Sequence, residues 1–147
     1  MEIQSVNEYD AAEILLLIHE HFPYMEMSFE QLVKRINHRT FLFQKSMEKE
    51  NIAGFAEWQI PKIGERVIQL NGIVVKPWYQ RKGHGRALLA AGEKWARQKG
   101  FAKIRLFVAS TNIPAKKMYR ASGFGFRKMH NRKIGGERAE VWEKPLK

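Results

Sequence analysis

The feature of the sequence that most constrains its fold is a strongly apolar segment, residues 67–75, which leads through a basic loop into a long amphipathic helix. The last three residues of this segment, 73–75, are apolar on both faces, a pattern typical of a strand in the interior of a sheet. Apolar side chains then recur with helical spacing at Leu88, Ala91 and Trp95. A buried strand followed at once by a helix predicts an α/β or α+β fold.

Helix caps and apolar periodicity predict the other elements. Asn7 and Asp10 have the spacing of a helix cap, and Ser28 and Gln31 have that of a capping box, so two helices are expected before the sheet. Apolar runs and alternation predict the strands. The expected order is ααβββαβαββ, with strands near residues 41–46, 52–60, 67–75, 103–109, 124–130 and 139–144.

The absence of cysteine from the 147 residues excludes a disulfide, a thiolate metal site and a cysteine nucleophile. This fits a reducing compartment, and we expect a cytoplasmic protein. The longest apolar run, residues 14–18, is too short for a membrane span, and the N-terminus is too acidic for a signal peptide. The five histidines lack metal-ligand spacing, so no metal site is expected. At this length we expect one domain, residues 1–147.

Positive charge is concentrated in the second half of the chain. The net charge is +11, with 7 basic and 11 acidic side chains in residues 1–75 but 19 basic and 4 acidic side chains in residues 76–147. Such a basic half favours an anionic partner, which could be a nucleic acid, a phosphorylated small ligand or an anionic surface. Charge alone does not decide among these.

The loop between the apolar strand and the helix has the composition of a phosphate site. Gly83 and Gly85 allow a tight turn and a close approach of ligand to backbone, and the first N–H groups of a helix attract phosphate. Arg81, Lys82 and Arg86 add positive charge. The loop matches neither a P-loop, which needs Gly-Lys-Ser/Thr, nor the dinucleotide fingerprint, which needs a third small residue.

Residues 80–85, Gln-Arg-Lys-Gly-His-Gly, resemble the Gln/Arg-x-x-Gly-x-Gly/Ala signature of the GNAT superfamily of acyl-CoA N-acyltransferases. Residues 112–124 resemble the family's downstream Asn…Ala…Tyr…Gly-Phe pattern, and the match spans about residues 67–126. The resemblance implies a GNAT-like α/β domain with a central mixed sheet of six to seven strands. It also implies a splay between strands 4 and 5, here the strand ending at Val75 and the strand beginning at Lys103.

The same resemblance implies that acetyl-CoA enters this splay as the acetyl donor. Its pyrophosphate would lie on the loop and its pantetheine arm on the open strand edge, whose backbone would also polarise the thioester. The implied cofactor-binding residues are Ile73, Val74, Val75, Gln80, Arg81, Lys82, Gly83, His84, Gly85, Arg86, Asn112 and Tyr119.

Tyr119 matches the family position whose phenol hydrogen-bonds the CoA sulfur and acts as general acid toward the departing thiolate. The general base is less well defined. Many members place a glutamate eleven residues before the position of Gln80, but here Gln69 stands there and cannot accept a proton. Glu57 on the preceding strand is the candidate, directly or through a water, and His130 is the weaker alternative; either could instead be a solvated strand residue.

The resemblance implies an N-acetyltransferase that acts on the amine of a small molecule or a peptide, with no membrane partner. Transfer would be direct, within a ternary complex, because the chain has neither a cysteine nor a Gly-x-Ser-x-Gly nucleophile motif. Acidic residues of the first half suggest a cationic amine; these are Glu20, Glu26, Glu30, Glu48 and Glu50. Both a monomer and a homodimer are compatible with the sequence.

An RNA-binding module, or another non-catalytic module that binds acyl-CoA, is the alternative. Residues 123–126, Gly-Phe-Gly-Phe, resemble the core of an RNA-recognition sheet motif, and the surrounding half is basic. However, Ser122, Arg127 and Met129 depart from that motif, and the ααβββ opening does not fit its fold. Nucleic acid is therefore not the expected partner.

Overall fold

A seven-stranded mixed sheet lies at the centre of the computed structural model, which describes residues 1–146. The strand order is β1-β2-β3-β4-β5-β7-β6. Neighbouring strands are antiparallel except β4 and β5, which are parallel. The strands are β1 (Glu2–Ser5), β2 (Phe41–Glu48), β3 (Asn51–Gln59), β4 (Val67–Val75), β5 (Lys103–Ala109), β6 (Gly125–Ile134) and β7 (Glu137–Pro145).

Four α-helices cover the two faces of the sheet: α1 (Ala11–His21), α2 (Phe29–Ile36), α3 (His84–Gln98) and α4 (Ile113–Ala121). Helices α3 and α4 pack on one face, over a core that includes Trp58, Leu88, Leu106 and Trp142. Helices α1 and α2 pack on the other face, over a second core; its members include Ile14, Leu32, Phe43, Phe55 and Val74. The sheet therefore separates an α3/α4 side from an α1/α2 side.

The parallel pair β4 and β5 separates part-way along its length. Their pairing runs from Val67 opposite Lys103 to Leu70 opposite Leu106, whereas β4 continues to Val75 and β5 to Ala109. On the other edge of β4, Glu57 of β3 lies opposite Gly72 and Trp58 opposite Leu70, so that Asn71 is an extra residue. Such a β-bulge bends and twists its strand. The bulge coincides with the point where the two strands part, and the expected splay is confirmed.

Most elements agree with the sequence expectations. The capping box at Ser28 begins α2, and the one at Asn7 begins a short 3-10 helix, Glu8–Asp10, that leads into α1. The central strand has the expected bounds, Val67–Val75. Strand β1 was not predicted, because it is a four-residue strand with an alternation too short to detect and is held by pairing with distant β2. Strand β6 runs four residues beyond His130, into a polar stretch without strand periodicity.

Helix α3 packs so closely on the sheet that one position has no room for a side chain. A Cβ added at Gly92 would overlap the indole ring of Trp58, a side chain with no exposed surface. We expect Gly92→Ala to lower the free energy of unfolding by about 2 kcal/mol, because overpacking outweighs the gain of about 1 kcal/mol in helix propensity.

Urea unfolding measures this effect, with Gly125→Ala as the control. A Cβ at Gly125 would have no neighbour within 4 Å, so the same chemical change should alter stability by less than about 0.5 kcal/mol. Equal stabilities of the two variants would show that there is room for a methyl group between Gly92 of α3 and Trp58 of β3.

Candidate active site

A cleft of about 670 Å³ opens where β4 and β5 part. Its walls come from both sides of the sheet: α4 and β5 on one side, and the end of α1, the segment after it and the end of β6 on the other. Of the residues expected to form the site, those that line the cleft are Glu57, Ile73, Asn112 and Tyr119, and Gln69 lines it as well. The gap in the sheet therefore connects its two faces.

The loop before α3 presents a run of backbone N–H groups without acceptors. From Arg81 to Arg86, none of the six N–H groups has a hydrogen-bond acceptor in residues 1–146, and the first bond of the helix runs from Ala87 N–H to the Gly83 carbonyl. Gly83 has a φ of 92° and Arg81 a φ of 64°, both in the left-handed region. Successive N–H groups at a helix start form an anion-binding concavity, so this loop can hold a phosphate or diphosphate.

The side chains of this loop have different surroundings. Arg81, Lys82 and Arg86 are exposed, while the Gln80 amide donates to the Val75 carbonyl at 3.0 Å and ties the loop to the end of β4. His84 is buried instead, between Ser46 and Glu48 of β2, and its Nε2 lies 2.9 Å from Glu48 Oε1. The hydrogen bond from His84 lowers the pKa of Glu48. His84 therefore offers a ligand only its backbone N–H.

Gly85 lies where α3 and α4 approach each other. A Cβ at Gly85 would stand 3.1 Å from Met118 Sδ of α4 and 3.9 Å from a methyl group of Val75. Contact with Met118 would become tight with any larger residue. The second glycine of the loop therefore lets the start of α3 lie close to α4, which carries Tyr119.

Tyr119 lies on α4 at the wall of the cleft, with 8% of its surface exposed. Burial raises the pKa of its phenol to about 12, so the hydroxyl is protonated at neutral pH. It makes no hydrogen bond to another residue in the part of the chain that the structure describes, residues 1–146. Asn112 begins the same helix, where its side chain accepts from Ala115 N–H at 3.3 Å. The Tyr119 hydroxyl is therefore an unused donor.

Glu57 is the centre of a polar network on the opposite side of the cleft. Its side chain is 6% exposed, and its Oε2 accepts from Arg35 Nη1 at 2.7 Å and from Asn71 Nδ2 at 2.8 Å. The same Asn71 amide donates to Gln59 at 3.1 Å, and Gln69 donates to Asn71 Oδ1 at 2.8 Å. Glu57 Oε1 has no partner within residues 1–146. One carboxylate oxygen is thus fixed and the other is available to a ligand.

Glu57 and Tyr119 approach the gap from opposite faces of the sheet. Along β3, Ala56 and Trp58 belong to the α3/α4 core and Phe55 belongs to the α1/α2 core. Because successive side chains of a strand point to opposite faces, Glu57 lies on the same face as Phe55 and faces α1 and α2. Tyr119 belongs to the α3/α4 core. Two ligands arriving from opposite faces of the sheet would meet inside the gap, between a proton acceptor, Glu57, and a proton donor, Tyr119.

Several residues of this site were not singled out from the sequence, and three of them are polar residues from separate elements. Arg35, Asn71 and Arg132 come from α2, the bulge of β4 and the end of β6. Neither a motif nor periodicity marks them, and only the register shift in β4 explains why Asn71 reaches Glu57. His130 does not line the cleft, and its ring instead packs against Phe107 with ring centroids 5.2 Å apart.

The geometry resembles that of a known family. Residues 8–126 match the Acetyltransferase (GNAT) family. The chain belongs to this family. The predicted family and fold class are confirmed, and the predicted enzyme class and donor, an acyl-CoA-dependent N-acetyltransferase with acetyl-CoA, are those of this family.

Individual proteins of this family resemble the chain over different lengths. Streptothricin acetyltransferase of Streptomyces lavendulae is 34% identical over 76 residues, which are 52% of this chain and 40% of that protein. A ribosomal-protein-alanine N-acetyltransferase from Brucella melitensis has the same fold, with a TM-score of 0.86 and 18% identity over 99% of this chain and 100% of that one. PaiA N-acetyltransferase of Thermoplasma acidophilum, solved with coenzyme A, gives a TM-score of 0.79 and 22% identity over 98% of both chains.

The candidate site has features that suit acetyl-CoA. The free N–H groups of the loop suit a diphosphate, and the gap between β4 and β5 leaves a strand edge for an amide-containing arm. Of the two aromatic residues in the RNA-recognition resemblance, Phe124 is buried in the α3/α4 core and Phe126 is exposed. In residues 1–146, no helix is both long and apolar enough to cross a membrane.

Proposed function

We propose that this acetyltransferase transfers the acetyl group of acetyl-CoA directly to a primary amine within a ternary complex. The observation that carries the proposal is the open gap between β4 and β5, with Glu57 on one face and Tyr119 on the other. Acetyl-CoA supplies an activated thioester. The donor would enter from the α3/α4 side, where the loop of residues 81–86 (the phosphate loop) lies. The amine would enter from the α1/α2 side.

The phosphate loop and the free edge of β4 bind the donor. The N–H groups of residues 81–86 hold the diphosphate, with Arg81, Lys82 and Arg86 as exposed counter-charges. Beyond the bulge, β4 has no pairing with β5, so the backbone of residues 73–75 can hydrogen-bond the amides of the pantetheine arm and polarise the thioester carbonyl. Because these backbone groups are already fixed by the strand, they can polarise the thioester without moving during the reaction.

Glu57 accepts the proton that the amine loses, through its available Oε1 or a water bound to it. Arg35 and Asn71 hold Oε2 and so fix the direction of Oε1. Gln69, in the position where many members have a glutamate, positions Asn71 instead of taking a proton. The base is therefore displaced to the neighbouring strand, β3.

Tyr119 stabilises the departing thiolate by donating a hydrogen bond to sulfur. A free thiol has a pKa of about 8.5, while burial raises the pKa of the Tyr119 phenol to about 12. The phenol therefore holds its proton more tightly than the thiol, and hydrogen bonding to the developing charge is its main contribution. Final protonation of the thiolate then comes from solvent.

Initial-rate kinetics test this function. Free thiol is measured while acetyl-CoA and a panel of primary amines are varied together. We expect release of thiol that depends on the amine, with intersecting double-reciprocal lines. Parallel lines would indicate a covalent acetyl-enzyme and contradict direct transfer. No release with any amine, together with no saturable binding of acetyl-CoA, would contradict the function itself.

A further inference from the structure

The α1/α2 side of the cleft, where the acceptor amine would enter, is called the acceptor side here. It carries more positive than negative charge. Three cationic side chains line the cleft, Arg35, Arg132 and Lys133, against one carboxylate, Glu57, which already pairs with Arg35. In residues 1–146, neither Arg132 nor Lys133 has an ion-pair partner. The acidic residues expected to attract a cationic amine lie elsewhere, because none of the glutamates at 20, 26, 30, 48 and 50 lines the cleft.

Arg132 is held on the acceptor side by an aromatic ring. Its guanidinium carbon lies 4.2 Å from the centre of the Phe107 ring on β5. Ile104, Leu106 and Val108 of β5 belong to the α3/α4 core, so Phe107 projects to the α1/α2 side, the same side as Glu57. The cation–π contact holds the guanidinium over the ring, but no side-chain N–H of Arg132 donates a hydrogen bond within residues 1–146.

The diphosphate of acetyl-CoA does not account for this charge. The loop that would bind it has its own cations, Arg81, Lys82 and Arg86, and none of them lines the cleft. The loop precedes α3, whereas Arg132 lies across the sheet, on the α1/α2 side. Arg132 and Lys133 are exposed and solvated in the free protein, so they are available to an anionic group of the acceptor, distinct from the diphosphate.

We infer that the acceptor carries a carboxylate close to its amine, as amino acids do, and that Arg132 binds this carboxylate while Glu57 faces the amine. The inference rests on the proposed function. A guanidinium presents paired donors that match a carboxylate, and Lys133 adds a second cation at the end of β6. Acceptors with several amines and no carboxylate would place their extra positive charge against Arg132 and Lys133.

A matched panel of acceptors tests the inference. Amino acids, the corresponding carboxamides, and spermidine are compared by amine-dependent thiol release, at equal concentrations of neutral amine. We expect each amino acid to have a kcat/KM at least about tenfold above that of its carboxamide, the usual strength of a charged hydrogen bond. Spermidine should be a poorer acceptor still.

Variants of β6 test whether Arg132 causes the preference for acceptors with a carboxylate. Arg132→Gln should raise KM for the amino acid about tenfold or more and leave KM for acetyl-CoA unchanged. It should also abolish the preference for the amino acid over its carboxamide. Arg132→Lys should restore part of that preference. Lys128→Gln removes the same charge from an exposed position on the same strand outside the cleft, and should change neither constant.

The outcomes separate this inference from the proposed function. Acetylation of spermidine or carboxamides in preference to amino acids would overturn the carboxylate requirement while leaving acetyl transfer intact. An unchanged preference in Arg132→Gln would also overturn it. Binding of acetyl-CoA without thiol release from any amino acid would likewise count against it, whereas failure to bind acetyl-CoA would contradict the proposed function.

Discussion

Replacing Tyr119 with phenylalanine is expected to lower kcat about 100- to 1,000-fold, while KM for acetyl-CoA stays within about threefold of its original value. The reason is that the hydroxyl would donate to a charge that develops on sulfur only during transfer. Because that hydroxyl lines the cleft and has no protein partner among residues 1–146, removing it leaves no group unsatisfied. Thermal unfolding of the variant should therefore match that of the original protein.

Tyr9→Phe is the matched control for this prediction. Tyr9 is 97% exposed, so loss of the same oxygen atom there should leave kcat unchanged. The pH profile gives a second check. Burial raises the pKa of Tyr119 to about 12, so the phenol stays protonated between pH 6 and pH 10 and the loss in kcat should be constant over that range. An unchanged kcat in Tyr119→Phe would remove the proposed hydrogen bond to sulfur.

Replacing Glu57 with glutamine is expected to lower kcat/KM for the amine about 100-fold at pH 7. Glutamine keeps the size of the side chain and can still accept from Arg35 and Asn71, but it cannot take a proton. The loss should shrink as the pH rises above the pKa of the acceptor amine, because a neutral amine has already lost one proton. Rates measured from pH 6 to pH 10 test this.

Glu20→Gln provides the control, since Glu20 is an exposed carboxylate on α1 outside the cleft. It should leave the whole pH profile unchanged. Binding of acetyl-CoA should be normal in both variants, which distinguishes a lost base from a misfolded site. A loss in Glu57→Gln that is equal at all pH values would indicate that Glu57 only positions Arg35 and Asn71.

Local signals in the sequence were sufficient for the elements that we propose to hold the donor. The apolar run at 67–75, the glycines at 83 and 85, and the helix after them are contiguous, so their structure depends mainly on neighbouring residues. The splay itself was implied by the family resemblance. Its position at the bulge of Asn71 was not, because a bulge depends on register between strands rather than on residue type.

The acceptor side was much harder to predict. Arg35, Glu57, Phe107 and Arg132 come from four different elements, and their proximity depends on how α2 and β6 pack against the sheet. From the sequence, the acidic first half suggested a cationic acceptor. In the structure those five glutamates lie outside the cleft and basic residues of α2 and β6 enter it. Total charge along a chain does not specify which charges meet at a site.

The central claim is that the gap between β4 and β5 receives the thioester while the N–H groups of residues 81–86 hold the diphosphate. A crystal structure of the protein grown with acetyl-CoA tests it most directly. We predict phosphate oxygens within hydrogen-bonding distance of those N–H groups, a pantetheine arm along residues 73–75, and the sulfur within reach of the Tyr119 hydroxyl. Phosphates bound elsewhere on the surface, or β4 and β5 paired along their whole length, would contradict the account.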